Sequence, residues 1–476
     1  MRIRRAMFAV ALWIAAGAAS AAVKPGLEGG QELFRQNRWE DARQHLRAQW
    51  ASIPEKDRGA ATFLIGRAYV REAEFYRALR VFGDEIGLEY LGELVAAKTS
   101  RNVAFIPLFT AFYEIDAGRD AEAARRLVLP AASTLAPEWK ASARLRRAVS
   151  LRRQGQAAEA AALKDTTAEG RYWALVTSGT AEPPAGAPKD DRARLLTAAV
   201  LFRAGRATDA EALLAGIDLD RPDAEDKSDP KKSLRFHDPI VASAWERITW
   251  ERAVAALAPL AAGGSGTERA LAAYYLGLSL FRLGAMESAA APLKEAAAAA
   301  IGAESQAAAR LLLSAVSWKM PPPDLAPLWN STQAHAEAVL LWEELRAPGL
   351  AKVEPFATKL DPRLKELLSA APERAGGAVA GRWGLARLRR GDDAAMLVTA
   401  LSEFRDKSNK NKVEWNDPLL LLALVVADYR DREYAQPLET LFELSKTFPG
   451  LRPVQWNLQG IYAARQKAGG EARISQ

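Results

Sequence analysis

Apolar positions along the chain recur every three to four residues over segments of about 10 to 20 residues, the period of an α-helix. The alternation of apolar and polar residues that marks a half-buried strand is almost absent. Alanine forms runs such as Ala296–Ala300 and Ala307–Ala309, and it costs less than any other residue in a helix interior. The pattern therefore predicts an all-α protein built from many short helices.

A pattern of small and large residues recurs along the chain. Its first copies place a small residue, an aromatic residue and an alanine at matching positions: Gly30, Trp39 and Ala42, then Gly66, Phe75 and Ala78. The best single copy contains Gly277, Gly284, Met286, Ala289 and Leu293. Weaker copies centre on Ala111, Ala148, Ala198, Gly384 and the segment that begins at Leu419. Recurrence of this kind is typical of stacked helical hairpins.

These copies resemble the tetratricopeptide repeat family, most clearly over residues 24–90, 268–300 and 419–465. The resemblance implies antiparallel helix pairs A and B that stack into a right-handed α-solenoid, with partners bound on the concave face formed by the A helices. In each pair the small residue lets the two helices touch. A glycine then ends helix A, and Gly118, Gly155, Gly205, Gly284 and Gly391 stand at those turns.

Proline-rich and charged stretches divide the predicted array. Residues 178–191 contain three prolines and two glycines, which predicts a loop, and Met320–Pro327 predicts another turn. Residues 216–238 are charge-dense with two prolines, which predicts a linker. We therefore expect helical arrays over residues 22–215 and 239–476, the second with a terminal capping helix. They form either one continuous solenoid or two arcs.

The first residues have the pattern of a secretory signal peptide. Arg2, Arg4 and Arg5 precede the apolar stretch Ala6–Ala16 and a small-residue cleavage site at Ala19–Ala21. The apolar stretch is about half the length that a membrane-spanning helix needs. We therefore expect removal of residues 1–21 and a periplasmic protein with no transmembrane segment. Its net charge falls from +7 to +4, because three arginines are lost, and so small a surplus does not indicate nucleic-acid binding.

Motifs for chemistry are missing from the sequence. The chain has no cysteine, and His45, His237 and His335 are far apart with no ligand spacing around them. No nucleophile elbow and no phosphate-binding glycine loop is present. We therefore expect no catalytic residue, no metal site and no cofactor, and interpret the protein as a non-enzyme.

Arginine recurs at the end of helix A in seven of the eight aligned copies. The pairs are Phe34-Arg35, Val70-Arg71, Arg152-Arg153, Phe202-Arg203, Phe281-Arg282, Leu388-Arg389 and Tyr429-Arg430, and the exception is Ile115-Asp116. One interpretation is a ladder of guanidinium groups that grips carboxylates of a partner. The other is that each arginine caps the negative end of a helix. Both interpretations stay open from the sequence.

The groove interpretation selects candidate binding residues, which are Arg35, Phe63, Arg67, Arg71, Arg203, Tyr274, Phe281, Arg282, Arg389 and Arg430. The predicted function is a periplasmic scaffold or adaptor that binds a peptide, a protein or an envelope polysaccharide there. The alternatives are a murein enzyme that resembles lytic transglycosylases and a structural subunit of a secretion or polysaccharide-export complex. The first is weakened because the residues after 419 still match the repeat and leave no globular catalytic module.

The signal peptide gives the first testable prediction. When the whole chain is expressed in a bacterium, we expect the periplasmic form to begin at Ala22 or Val23, because the small residues before them fit a signal-peptidase site. N-terminal sequencing and intact mass measure this. A matched variant, Ala19→Arg with Ala21→Arg, should block cleavage. An uncleaved wild-type chain in the periplasm would contradict the prediction.

Overall fold

The computed structural model describes most of the chain as α-helix. It describes residues 23–97, 106–116, 119–128, 137–156, 166–184, 186, 188, 190–215, 217, 239–299, 301–317, 377–389, 393–410, 417–431 and 440. In these residues the helices are α1 (Gly26–Arg35), α2 (Trp39–Ala48), α3 (Arg58–Ala97), α4 (Ile106–Asp116), α5 (Asp120–Arg126), α6 (Pro137–Arg153), α7 (Ala168–Ser178), α8 (Asp191–Arg203), α9 (Ala207–Leu214), α10 (Pro239–Gly263), α11 (Gly266–Arg282), α12 (Met286–Ala298), α13 (Ala303–Ser317), α14 (Gly377–Arg389), α15 (Ala394–Lys410) and α16 (Pro418–Arg430). No β-strand occurs among them, which confirms the all-α prediction.

The main stack consists of two layers of helices. Helices α1, α3, α11 and α13 form one layer, and α2, α10 and α12 form the other. Each helix packs against its neighbours across the layers in the order α1, α2, α3, α10, α11, α12, α13, and the members of the first layer also contact one another. This packing of antiparallel neighbours is solenoid-like, as the repeat pattern predicts.

Glycines facing leucines bring the layers together. A Cβ at Gly30 would lie 2.5 Å from a methyl carbon of Leu46, and one at Gly277 would lie 2.5 Å from Cγ of Leu293. Only a residue without a side chain leaves room for these leucines, which are fully buried. The predicted crossing of helix A and helix B at a small residue is therefore confirmed for these two hairpins.

The second predicted hairpin, from Gly66 to Ala78, is wrong. We expected a turn between Arg71 and Phe75, but α3 continues through both residues. The first copy turns at Asn37, which adopts the left-handed conformation with φ 59°, whereas the matching residue of the second copy is the buried Ala73. Alanine is disfavoured in that conformation by about 1–2 kcal/mol, so the helix does not end there.

Helix α10 takes the place of the missing helix B. A Cβ at Gly66 would lie 2.6 Å from Cγ of Leu257, so Gly66 makes the expected close crossing with a helix from much later in the chain. Buried polar contacts fix the register of this pair. Nε of Arg80 donates to Glu246 Oε2 at 2.5 Å, and Nε1 of Trp250 donates to Glu246 Oε1 at 3.3 Å.

Two further groups of helices pack on this central pair. Helices α4 to α9 share an apolar core with the first half of α10, in which Phe112 and Trp173 pack with Ile248. Helices α14 to α16 share a core with α3, in which Trp383 and Leu422 pack with Phe75. The α3–α10 pair therefore connects all three groups.

Other expectations have mixed outcomes. Gly155, Gly205 and Gly284 adopt φ values of +80°, +76° and +75°, which confirms them as turn residues. Helix α7 ends at Ser178 and α8 begins at Asp191, so the described residues between them form the expected loop. The predicted signal peptide, linker, turn at 320–327 and capping helix, and Gly118 and Gly391, lie outside the described residues, save Ile217 within the linker.

The glycine contacts predict a graded effect on stability. A Cβ at Gly381 would overlap backbone atoms of Leu419 and Leu420, which cannot move aside as a side chain can. We expect Gly381→Ala to lower the free energy of unfolding by about 1–3 kcal/mol through overpacking. Urea denaturation followed by circular dichroism measures it.

The matched control is Gly263→Ala, since a Cβ at the end of α10 would meet nothing within 4 Å. We expect a change of no more than about 0.5 kcal/mol for this variant. Equal stability of the two alanine variants would contradict the contact between α14 and α16.

Candidate functional site

Several of the repeated arginines bond the end of a neighbouring helix. Nε of Arg203 donates to the carbonyl oxygen of Gly179, the C-cap of α7, at 3.1 Å. Nη1 of Arg153 donates to the carbonyl of Ile115 in the last turn of α4 at 3.1 Å, and Arg430 bonds the carbonyl of Leu388 near the end of α14. The last carbonyls of a helix lack intrahelical donors and carry partial negative charge. These three arginines therefore cap adjacent helices.

Arg71 belongs to a charged cluster between α3 and the helices α14 and α16. Its Nη1 lies 3.4 Å from Glu74 Oε2, which also accepts a 2.8 Å hydrogen bond from Arg382. Burial raises the pKa of Asp417, the N-cap of α16, while the Leu419 amide and the charges of Arg382 and Arg71 oppose that rise. The cluster therefore holds the last helical group on α3.

Three aromatic rings surround the guanidinium group of Arg67 on α3. Its Cζ lies 5.1 Å from the ring centroid of Phe34, 5.3 Å from that of Tyr275 and 5.8 Å from that of Phe63. The rings of Phe63 and Tyr275 are also 6.0 Å apart. All four side chains are half-buried, and they come from α1, α3 and α11 in one layer of the main stack. We call these four residues the Arg67 surface.

Arg67 makes no hydrogen bond and no ion pair among the residues that the structure describes, and its Nε is buried without a partner. Buried polar groups elsewhere in proteins nearly always have a partner. Glu268 is a carboxyl group on the same seam between α3 and α11, beside Gly59. Gly59 precedes Arg67 by eight residues, about 12 Å of helix, so Glu268 is too far away to pair with Arg67.

The remaining candidates lie in different environments. Arg35 is exposed and follows Phe34, at the edge of the Arg67 surface. Phe281 and Arg282 are half-buried at the end of α11, where the Arg282 guanidinium lies 5.9 Å from the Phe281 ring centroid. Tyr274 is buried against Tyr275, and the side chain of Arg389 lies outside the described residues. The candidates thus do not form one continuous row.

Tyr275 is the member of this surface that sequence reasoning missed. Its neighbour Tyr274 was selected instead, but Tyr274 points into the core and Tyr275 faces α3. Two adjacent tyrosines on a helix differ by about 100° in direction, and the apolar stripe could have assigned the inner one. The contact with Arg67 had no sequence signal, because it depends on α11 lying beside α3.

Glu169 on α7 is the most fully satisfied buried carboxylate of the described residues. It accepts hydrogen bonds from Ser142 at 2.7 Å, Arg192 at 2.7 Å and Trp173 at 3.2 Å, and Arg146 lies 3.3 Å away. Burial alone would raise its pKa, but the two arginines and the hydrogen bonds lower it from 4.5 to about 2. This network joins α6, α7 and α8 and is structural.

Glu251 on α10 has the opposite environment. It is buried, and its Oε1 has no hydrogen-bond partner in the part of the chain that the structure describes. Burial raises the pKa of this carboxyl group, and the charges of Arg247 and Arg203 only partly offset that effect. The carboxylate form of Glu251 is therefore a cost to the folded state.

Comparison with known proteins adds no relative. The chain matches no protein-family model and no curated protein sequence. Across the described ranges no helix combines the length and apolar character that crossing a membrane requires. The same ranges contain no group of three or more His, Asp or Glu side chains suited to a metal ion. The fold thus defines a class, an all-α protein with solenoid-like packing of helices.

The two buried glutamates predict opposite effects of removing a charge. We expect Glu169→Gln to lower the free energy of unfolding at pH 7 by roughly 3 kcal/mol, the equivalent of the pKa change from 4.5 to about 2. That contribution is complete above pH 4.5 and disappears as the pH falls towards 2. We expect Glu251→Gln to raise the stability at pH 7, because its raised pKa means that ionisation opposes folding.

Urea denaturation followed by tryptophan fluorescence at pH 7 and pH 4 measures both effects. Glu287→Gln on the exposed side of α12 is the matched control and should leave the midpoint unchanged. A loss of stability in Glu251→Gln equal to that in Glu169→Gln would contradict the distinction between the two sites.

Proposed function

We propose that this protein is an exported, tetratricopeptide-like adaptor, without catalytic activity, that binds a partner on the helix layer carrying the Arg67 surface. The observation that carries the proposal is Arg67 itself, a half-buried cation held between three rings with no anion beside it among the described residues. Side chains of Arg, Tyr and Trp dominate the binding energy of many protein interfaces.

The layer is suited to an extended partner. Helices α1, α3 and α11 lie side by side in it, so residues that face away from the second layer form a continuous surface across them. Phe34, Phe63 and Tyr275 are held by contacts within the core of the main stack. A surface that is already ordered loses little conformational entropy on binding, which favours affinity.

The capping arginines support a narrower site than the full ladder. Arg203 and Arg430 bond helix ends, and Arg71 lies in an ion cluster, so each has a structural partner. Arg35 is exposed and Arg67 has no charged partner among the described residues. The proposed binding surface is therefore centred on α1, α3 and α11.

Site-directed photocrosslinking tests the proposal. The full chain, expressed in its own envelope compartment, carries p-benzoylphenylalanine in place of Arg35 or, as a matched control, in place of the exposed Arg144 on α6. We expect a discrete crosslinked product from position 35 at least about five times stronger than from position 144. It should weaken at high salt, because screening shortens the range of charge attraction.

Equal crosslinking from both positions, or none from position 35, would contradict the proposed surface. The absence of catalysis is tested separately. Release of muropeptides from murein by the purified chain, abolished by one glutamate substitution, would show that the protein is an enzyme.

A further inference from the structure

Arg67 differs from the other arginines along the inner part of α3. Arg71 pairs with Glu74, and both Arg77 and Arg80 pair with Glu246, at N–O distances of 3.4, 3.6 and 2.5 Å. Arg67 has no such carboxylate in the described part of the chain, although it is similarly half-buried. A cation removed partly from water gains most from a partner that is itself an anion. Its missing partner can therefore come from another molecule.

The rings around Arg67 favour one chemistry for that partner. Phe34, Phe63 and Tyr275 turn their faces towards the guanidinium group, as the distances from Cζ to the ring centroids indicate. Ring faces occupied by a cation are not open for stacking on a sugar. The group left to bind is the polar guanidinium itself. Because its Nε is buried, a ligand meets the terminal amino groups, which pair well with a carboxylate.

We propose that Arg67 binds the carboxylate of an aspartate or glutamate in an extended polypeptide segment of the partner. The edges of Phe63 and Tyr275 contact the apolar side chain next to it, and the exposed Arg35 adds a second positive charge beside Phe34. Glu268 lies about two helical turns away and leaves the site open to an external anion. This inference rests on the proposed function and specifies the chemistry of its partner.

A selection experiment with a defined probe tests the inference. The whole mature chain is used to select from a phage-displayed library of random dodecapeptides, in parallel with Arg67→Gln and with Arg144→Gln. The control variant loses the same charge from an exposed position on α6. We expect wild type and Arg144→Gln to enrich peptides with an Asp or Glu beside an apolar residue, and Arg67→Gln to lose that enrichment.

Fluorescence anisotropy then measures affinity for one enriched peptide and for its isostere with Gln or Asn in place of the acid. We expect Arg67→Gln to raise the Kd of the acidic peptide at least tenfold, with less than a twofold change for Arg144→Gln. The isostere should bind all three proteins with the same weak affinity. Arg67→Lys, which keeps the charge and loses the planar guanidinium, should fall between wild type and Arg67→Gln, with circular dichroism unchanged.

Three results would overturn the inference. They are enrichment of peptides without acids or of none, equal loss of affinity in both glutamine variants, and tighter binding of oligogalacturonate than of any acidic peptide. If Arg67→Gln fails to fold, equal affinity of Arg67→Lys and wild type for the acidic peptide overturns it as well. A crosslinked partner at position 35 together with any of these results would leave the proposed function standing.

Discussion

The close approach of α3 and α10 at Gly66 and Leu257 is the contact on which the rest of the structure depends. It joins a helix from the beginning of the chain to one that follows the predicted linker. Once α10 lies in that position, α11 must lie beside α3, because α10 and α11 form an antiparallel hairpin with a short turn. The Arg67 surface exists only because of that arrangement, since Tyr275 is on α11.

Charge reinforces the apolar packing at each junction of the three helical groups. Glu246 links α10 to two arginines of α3, Glu169 links α7 to α6 and α8, and Glu74 links α3 to Arg382 of α14. A buried ion pair adds little net stability, but removing one member leaves a costly unpaired charge. These pairs therefore specify which helices meet. Arg67 stands out against them because the described residues give it rings and no carboxylate.

Much of the local structure could be predicted from particular residues. Gly155, Gly205 and Gly284 end their helices because glycine adopts positive φ without strain, and Gly30 and Gly277 mark crossings because no side chain fits there. The error at the second copy also had a local cause. Ala73 occupies the place of Asn37, and reading the turn residue as well as the spacing would have predicted one long helix.

The sequence by itself determined the helical class, the positions of most turns and the small residues at which helices cross, since these follow from backbone preferences and side-chain size. The tertiary structure decided which helix meets Gly66 and which arginines cap their neighbours. It also decided which arginine lies among rings. The physical reason is that a small residue specifies a close contact without specifying its partner. That choice depends on complementary surfaces and buried charges brought together from distant parts of the chain.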